Sequence, residues 1–345
     1  MSGRPRALII GAGALGMGFL AERMAADYDL CLADVPGRLL FLQELARRGG
    51  FSLNVCHPNG REVRDVHCRF SAAGVGSPAF AEALDAADLV LTAVGIRALP
   101  AVVSAITPGL GARQGRTWLL FCENGLSIAS RYGAGLAGPV TVMDTVMSRM
   151  CRTQDAAGGR YMPLWHGHAV SLVVESFSDI PLDREACSGG PFSGSFHLVS
   201  REDFALWEDI KLFMHNGLHA FVAYHAFLEG TRRFPRVGRP LWDEARRIVE
   251  QELVPALLFH HPHAERSALA GYGADLLERF ANPWFDDAIE RGVRGAAEKL
   301  FPGERLLGGV AYIREAGVEP RGYASTIDAA RRVAALQEGS WKNAG

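Results

Sequence analysis

The sequence lacks the spacings by which cysteine usually signals metal or redox chemistry. Its six cysteines, Cys31, Cys56, Cys68, Cys122, Cys151 and Cys187, include no Cys-x-x-Cys pair, so neither a zinc site nor a redox dithiol is indicated. Cys31 and Cys122 lie in apolar runs, where cysteine behaves as a small hydrophobe. A reducing, cytoplasmic setting is the expectation. Long hydrophobic runs are also missing. The first, Ala7 to Ile10, is four residues long and leads straight into glycines, which excludes a signal-peptide core or a membrane span there. No charge of one sign prevails: 36 basic and 38 acidic residues leave a formal net charge of −2. Nothing electrostatic therefore calls for nucleic acid or an anionic membrane as partner. There is no internal repeat and no low-complexity tract. What remains is ordinary globular material, 345 residues of which 48% are hydrophobic and 21% charged, enough for a sizeable core and for two domains or one large one.

The first half alternates short apolar runs with amphipathic ones. Arg6 to Ile10, Asp29 to Ala33, Leu89 to Val94 and Trp118 to Cys122 read as core strands, with Val140 to Met143 and Ala169 to Glu175 as further strands. Helices are expected over Ala14 to Ala26, Arg38 to Arg48 and Pro100 to Ile106. Phe51 to Val55 and Glu62 to Val66 flank Pro58-Asn59-Gly60 as a hairpin. In the second half the pattern becomes helical: Glu202 to Glu229, Trp242 to Phe259 with Pro255 kinking or ending it, Ala274 to Phe280, Asp286 to Leu300 and Thr326 to Glu338. The fold class that follows is α/β. A Rossmann domain with a doubly wound, mainly parallel sheet occupies residues 1–195, and a mainly α-helical substrate domain residues 196–345. The boundary follows the loop Ser188-Gly189-Gly190-Pro191.

Gly11-Ala12-Gly13-Ala14-Leu15-Gly16 follows the first strand and opens a helix. The first glycine permits a tight turn, the second lets backbone approach a pyrophosphate, and the third lets helix and strand pack closely. The helix N-terminus adds free N–H groups and a positive dipole end. Asp34 ends the next strand, 18 residues past Gly16, where a carboxylate accepts from ribose hydroxyls and repels a 2′-phosphate. NAD rather than NADP is the expected cofactor. The alternative is a glycine-rich turn of an unrelated α/β fold, with Asp34 as a helix cap. Thr92, Ala93 and Val94 end a core strand on the same carboxyl edge.

Lys211, Asn216 and His219 fall at 0°, 140° and 80° around an α-helix turning about 100° per residue, an arc of about 140°. A lysine desolvated toward neutrality can take a hydroxyl proton as hydride leaves the carbon. An amide donor such as Asn216 can stabilise the developing alkoxide, and an imidazole such as His219 can hold the same oxygen or steer a neighbouring hydroxyl. Spacing alone also fits a lysine extended to solvent, an amide bonded to backbone and a packed histidine.

Lys211-x4-Asn216-x2-His219 resembles the catalytic motif of the polyol-specific long-chain dehydrogenases, the mannitol dehydrogenase family, and most closely its branch acting on mannitol 1-phosphate. Other islands agree in order: the glycine loop with Asp34-Val35, Thr92-Ala93-Val94-Gly95, Cys122-Glu123-Asn124, Val174-Glu175-Ser176-Phe177-Ser178 and Arg279-Phe280-Ala281-Asn282-Pro283. The resemblance runs from the first strand to about residue 310. It implies that Lys211 is the general base, that Asn216 and His219 polarise the reacting oxygen and that Asn124 completes the oxyanion site. It further implies NAD, a metal-independent reaction, a small polyol or phosphorylated sugar as substrate, and a monomer, with a dimer as the alternative. Two departures stand out. Where the family carries an aspartate before Arg149 and a proline three residues after it, this chain has Ser148 and Arg152; Ser148 and Arg149 are the expected substrate contacts there. Glu298 stands where a basic residue is expected. Arg291 and Arg294, with Lys299 and Arg305, can clamp a phosphate or be ordinary solvated helix charges.

A reductase of the ketopantoate type also pairs such a glycine loop with a helical lysine and asparagine, but it usually prefers NADPH, against Asp34, and offers no counterpart to His219. A non-catalytic NAD-binding protein is the third reading. His260, His261 and His263 flank Pro262 with no carboxylate or cysteine at a recognised metal spacing, and a loop after a helix accounts for them. His166 and His168 read as structural. Met143, Met147 and Met150 read as core fillers.

Overall fold

Short runs of β-branched and aliphatic residues, bounded by glycine or polar residues, become buried strands. The computed structural model describes residues 3–125, 127–192, 194–301 and 304–342, the last five by backbone alone. Its principal strands are β1 (Arg6–Ile10), β2 (Asp29–Asp34), β3 (Gly50–His57), β4 (Gly60–His67), β5 (Phe70–Gly74), β6 (Leu89–Thr92), β7 (Thr117–Phe121), β8 (Val140–Asp144), β9 (Cys151–Asp155) and β10 (Val170–Glu175). Six form one sheet in the order β5-β2-β1-β6-β7-β8, every neighbouring pair parallel. The chain moves outward from β1 to β2 and β5, then crosses back to β6 on the other side of β1. Such a switch point leaves a crevice at the carboxyl ends of the strands. Register puts Ile10 beside both Ala33 and Thr92, so Gly11, Asp34 and Ala93 emerge together at that edge.

Alternate side chains point to opposite faces of a strand, and here both faces are covered. Leu8, Ile10, Val90 and Leu119 pack with Phe80, Leu84, Leu99 and Ile106 of the helices Pro78–Ala86 and Leu99–Ala112. Ile9, Leu32, Leu91 and Leu120 pack with Met17, Phe19 and Leu20 of the glycine-loop helix and with Leu53 and Val174 of β3 and β10. Burial on both faces is why these strands read as nearly continuous apolar runs. A second sheet, β4-β3-β10-β9, pairs β10 with β3 in parallel and with β9 antiparallel. β3 and β4 flank Pro58-Asn59, the anticipated hairpin. The sequence reading missed β5, an edge strand of small residues, and the helix Pro78–Ala86. The helix carried a legible signal: the Ser77 hydroxyl accepts from the Phe80 N–H (3.2 Å) and proline opens the first turn.

Contacts divide the chain into two units, residues 1–56 with 61–204, and residues 57–60 with 205–345. In the second unit the long helical pattern is not uniformly α. Arg201–Asp209 leads into a π-helical turn, Ile210–Asn216, before α-geometry resumes over Gly217–Leu228. The predicted helix 242–259 runs on through Pro255, which falls in the first turn of Val254–His260, after a second π segment, Val249–Leu253. The helix is continuous there, and the π segment just before the proline is where the ladder adjusts to the N–H that the ring lacks. The predicted helix 286–300 is broken. Ile289–Val293 ends before Gly295, whose φ of +64° is left-handed, and only one 3-10 turn, Glu298–Leu300, follows. All six cysteines are free thiols. Among the described residues no helix is long and apolar enough to cross a membrane.

Candidate functional site

The loop after β1 is shaped by two glycines that admit no side chain. Gly11 has φ +103°, and a Cβ there would stand 2.4 Å from the Ala93 carbonyl oxygen. A Cβ on Gly16 would stand 1.8 Å from the Gly11 carbonyl oxygen. Gly13 differs, with nothing within 4 Å of its would-be Cβ, so bare backbone faces open space at the mouth of the cleft. The Asp34 carboxylate closes the rim: Oδ2 accepts from the Ala12 N–H (3.1 Å) and lies 3.0 Å from Arg38 Nη1, and Oδ1 accepts from the Val35 N–H (2.8 Å). A cleft of about 340 Å³ opens here, lined by Gly11, Gly13, Asp34, Val35, Arg38, Val75, Ala93, Val94, Ala98 and Val102 among others. An apolar slot beside a carboxylate and a bare glycine loop fits an adenosine with its pyrophosphate.

Ala14, Leu15 and Gly16 begin the helix, which turns π-helical over Gly16–Ala21. Gly18 brings it against Val174. Arg149, 4% exposed, donates to the Gly18 carbonyl (3.1 Å), the Glu175 carbonyl (2.8 Å) and Glu22 Oε2 (3.0 Å). Its guanidinium is thus committed to tying the glycine-loop helix to β10. Ser148 beside it is also buried. At the next strand end, the buried Glu123 carboxylate accepts the Val94 (2.9 Å) and Gly95 (2.8 Å) N–H groups. Burial raises its pKa, opposed by those hydrogen bonds. Glu123 therefore shapes the loop after Thr92, a role that spacing alone did not suggest, although an acid directly after a buried strand was the available signal. Asn124 follows, exposed. Asp144, at the end of β8, accepts the Ala129 N–H (2.8 Å), and burial raises its pKa too.

In the second unit, Lys211 and Asn216 both lie in the π turn Ile210–Asn216. The i→i+5 repeat of a π-helix puts residues five apart about one turn apart, so the Lys-x4-Asn spacing suits this geometry better than the α-helix assumed from sequence. Asn216 and His219 are then three apart, neighbours on an α-helical face. The His219 ring stacks on Phe234 (4.6 Å between centroids) and meets Phe280 edge-on (5.0 Å). Its Nε2 lies 3.6 Å from Asp287 Oδ2, and Arg291 Nη2 lies 2.7 Å from the same oxygen. Burial pushes the pKa of Asp287 up, but His219 and Arg291 outweigh it and hold the carboxyl at about 2. Burial keeps His219 below the ordinary histidine value, against the pull of Asp287. A Cβ on Gly292 would stand 3.0 Å from His219 Cε1, so that glycine gives the imidazole its room. His215, fully buried against Phe280, is held well below its usual value, first by burial and then by Lys211 and Arg279.

Of the predicted anion-binding residues, Arg291 is occupied by Asp287, and Arg294 is exposed at the end of Ile289–Val293. The Lys299 ammonium donates to the Gly292 carbonyl (2.7 Å). Burial, then the neighbouring Arg305, lower its pKa to about 8. The histidines near Pro262 are bonded locally: His261 Nε2 is 2.8 Å from Asp209 Oδ2, and His260 stacks on Tyr312. Among the described residues no group of three or more His, Cys, Asp or Glu could hold a metal ion.

Two family models cover most of the chain, the mannitol dehydrogenase Rossmann domain over residues 5–186 and the mannitol dehydrogenase C-terminal domain over residues 203–334. Mannitol-1-phosphate 5-dehydrogenase of Shouchella clausii is 27% identical over 332 residues, 93% of this chain and 87% of that protein. Among solved structures, mannitol 2-dehydrogenase of Pseudomonas fluorescens, a ternary complex with NAD and D-mannitol, superposes with a TM-score of 0.71 at 16% identity, covering 96% of this chain and 79% of that one. A substrate-free D-sorbitol dehydrogenase gives 0.73 at 15% identity, with 96% and 80% covered. The last two show likeness of fold. With a parallel-sheet nucleotide fold, a helical second unit and both models matched in order, the chain belongs to the mannitol dehydrogenase family.

Proposed function

We propose that the chain is an NAD-dependent dehydrogenase that interconverts a secondary alcohol and a ketone on a small polyol, with mannitol 1-phosphate and fructose 6-phosphate as the pair. The observation that carries the reading is the lysine, asparagine and histidine placed on one helix through a π turn, in a chain whose β1 loop fits a dinucleotide. Residues 1–195 serve as the nucleotide domain and 196–345 as the substrate domain. Gly11, Ala12, Gly13, Ala14, Leu15 and Gly16 hold the pyrophosphate, Asp34 the adenosine ribose, and Thr92, Ala93 and Val94 the cofactor's flank. When bound, the nicotinamide supplies the hydride acceptor.

Lys211 takes the hydroxyl proton as the carbon–hydrogen bond breaks. Asn216 and Asn124 donate to the developing alkoxide. His219 is neutral and its Nε2 faces an ionised Asp287, so the proton sits on Nε2 and Nδ1 is left as an acceptor. It is therefore better suited to orient a substrate hydroxyl than to donate to the alkoxide. Burial and, after it, the neighbouring Arg305 depress Lys299 to about 8, and an anion there relieves the repulsion between the two cations. With Arg291 and Arg294 they are assigned the phosphate, a reading supported by the likeness to the Shouchella clausii enzyme. Ser148 takes the place of the acid that faces the polyol in the resemblance drawn from the sequence. Arg149 acts by holding the glycine-loop helix. A monomer is the working state, a dimer the alternative.

The test is a screen of polyols, sugar acids and their phosphates by NADH absorbance, with wild type and Lys211→Ala. Wild type should reduce NAD with D-mannitol 1-phosphate. Lys211→Ala should lower kcat about 100- to 10,000-fold, the range for loss of a general base, with NADH affinity unchanged. Wild-type protein inert toward the whole screen ends this reading.

A further inference from the structure

The π turn that carries Lys211 and Asn216 is held open by a side chain remote in sequence. In an α-helix the Phe213 carbonyl would accept from the N–H of Gly217. Here the Gly217 N–H goes to the Met214 carbonyl instead, and the Phe213 carbonyl accepts from the hydroxyl of Tyr323. Tyr323 is 2% exposed, and its ring occupies space that two glycines leave. A Cβ on Gly217 would stand 1.7 Å from the Tyr323 hydroxyl, and one on Gly309 would stand 2.2 Å from its Cε1. The tyrosine is itself fixed from behind. The Glu252 carboxylate accepts the Gly322 (2.7 Å) and Tyr323 (3.2 Å) N–H groups, donors left over at the start of the helix Arg321–Lys342. Glu252 lies in the other π segment of this unit, Val249–Leu253.

We infer that Tyr323 is a positioning residue for the reaction: its hydroxyl, braced by Glu252, stabilises the π turn and thereby keeps Lys211 one turn from Asn216. Without that donor the Phe213 carbonyl regains Gly217 as its partner, the turn relaxes toward α-geometry, and Lys211 swings away from the Asn216–His219 face. π turns of this kind recur at functional sites because they re-aim side chains without ending the helix. The inference rests on the proposed role of Lys211, and the experiment separates the two.

Wild type, Lys211→Ala, Tyr323→Phe and Glu252→Gln are compared for kcat, KM for NAD and the pH profile of kcat with D-mannitol 1-phosphate, and for thermal midpoint. Tyr323→Phe keeps the ring and loses one oxygen. It should lower kcat about tenfold to a hundredfold, the effect of a misplacement of about 1 Å, leave KM for NAD within about twofold and displace the acidic limb of the profile. Glu252→Gln, which keeps one acceptor oxygen, should show the same pattern more weakly, and it carries the test should Tyr323→Phe fail to fold. If kcat and the acidic limb stay at wild-type values while only the thermal midpoint drops, Tyr323 is a packing residue and the inference is wrong. If instead Lys211→Ala retains wild-type turnover, the assignment of the base fails first and takes this inference with it.

Discussion

A carboxylate shared by an imidazole and a guanidinium fixes the protonation of its surroundings. Asp287 is 2% exposed and held at about 2 by His219 and Arg291 despite its burial. Its pKa is depressed on folding, so its contribution to stability is complete above the ordinary carboxyl value near 4 and is lost as pH falls through about 2. A shift of this size corresponds to about 2 kcal/mol. In denaturant titrations the stability difference between wild type and Asp287→Asn should therefore be largest at pH 5 and above and shrink toward pH 2. A difference independent of pH across that range would mean that the His219 hydrogen bond and the Arg291 ion pair contribute nothing. Arg149 makes a related point. Its sequence position suggested a substrate contact, yet its guanidinium meets the Gly18 and Glu175 carbonyls and Glu22. A buried guanidinium held by two carbonyls and a carboxylate braces the elements that carry them.

At the scale of elements, both helices that carry the proposed chemistry contain π segments, Gly16–Ala21 and Ile210–Asn216. In each, a buried side chain from elsewhere donates to a carbonyl within the segment, Arg149 to Gly18 and Tyr323 to Phe213. The glycine loop separates fold from function within a few residues. Gly16→Ala drives a methyl into the Gly11 carbonyl, backbone against backbone with nothing flexible to yield. It should cost more than about 3 kcal/mol, as over-packing at a rigid site does, and the variant should be largely insoluble or melt far below wild type. Gly13→Ala meets nothing and should melt within a degree or two of wild type. Its NADH affinity should nevertheless fall about tenfold or more, because the methyl occupies the approach of the pyrophosphate. Calorimetry with NADH on both variants checks the pair; a Gly13→Ala protein binding NADH as wild type would move the pyrophosphate elsewhere.

At the scale of the molecule, the cleft is built from the ends of β1, β2 and β6, so occupying it couples to the stability of the whole nucleotide unit. A ligand present at about 100 times its Kd stabilises the native state by about 2.7 kcal/mol. NADH at such a concentration should raise the thermal midpoint by several degrees, and NADPH at the same concentration should not, because Asp34 faces the position of the 2′-phosphate. Equal shifts with both nucleotides would give the deciding role at the rim to Arg38 rather than Asp34.

The α/β architecture, the parallel character of the main sheet and the glycine loop with Asp34 were legible in the sequence because they rest on local patterns: apolar runs of strand length, glycine where a Cβ would collide, a carboxylate at the end of the second strand. The family likeness was legible through the Lys-x4-Asn-x2-His motif. Less was visible where residues distant along the chain decide the outcome. The π turn under Lys211 depends on Tyr323, 110 residues further on. The continuation of helix past Pro255 depends on the π segment before it. The break at Gly295 depends on one left-handed glycine inside an otherwise helical pattern. Periodicity reports which faces are apolar and so determines the layers of the fold. It does not report which carbonyl a buried phenol or guanidinium will reach, and only the packed tertiary structure, by bringing those donors to carbonyls within the two π segments, decided how the side chains on them are aimed.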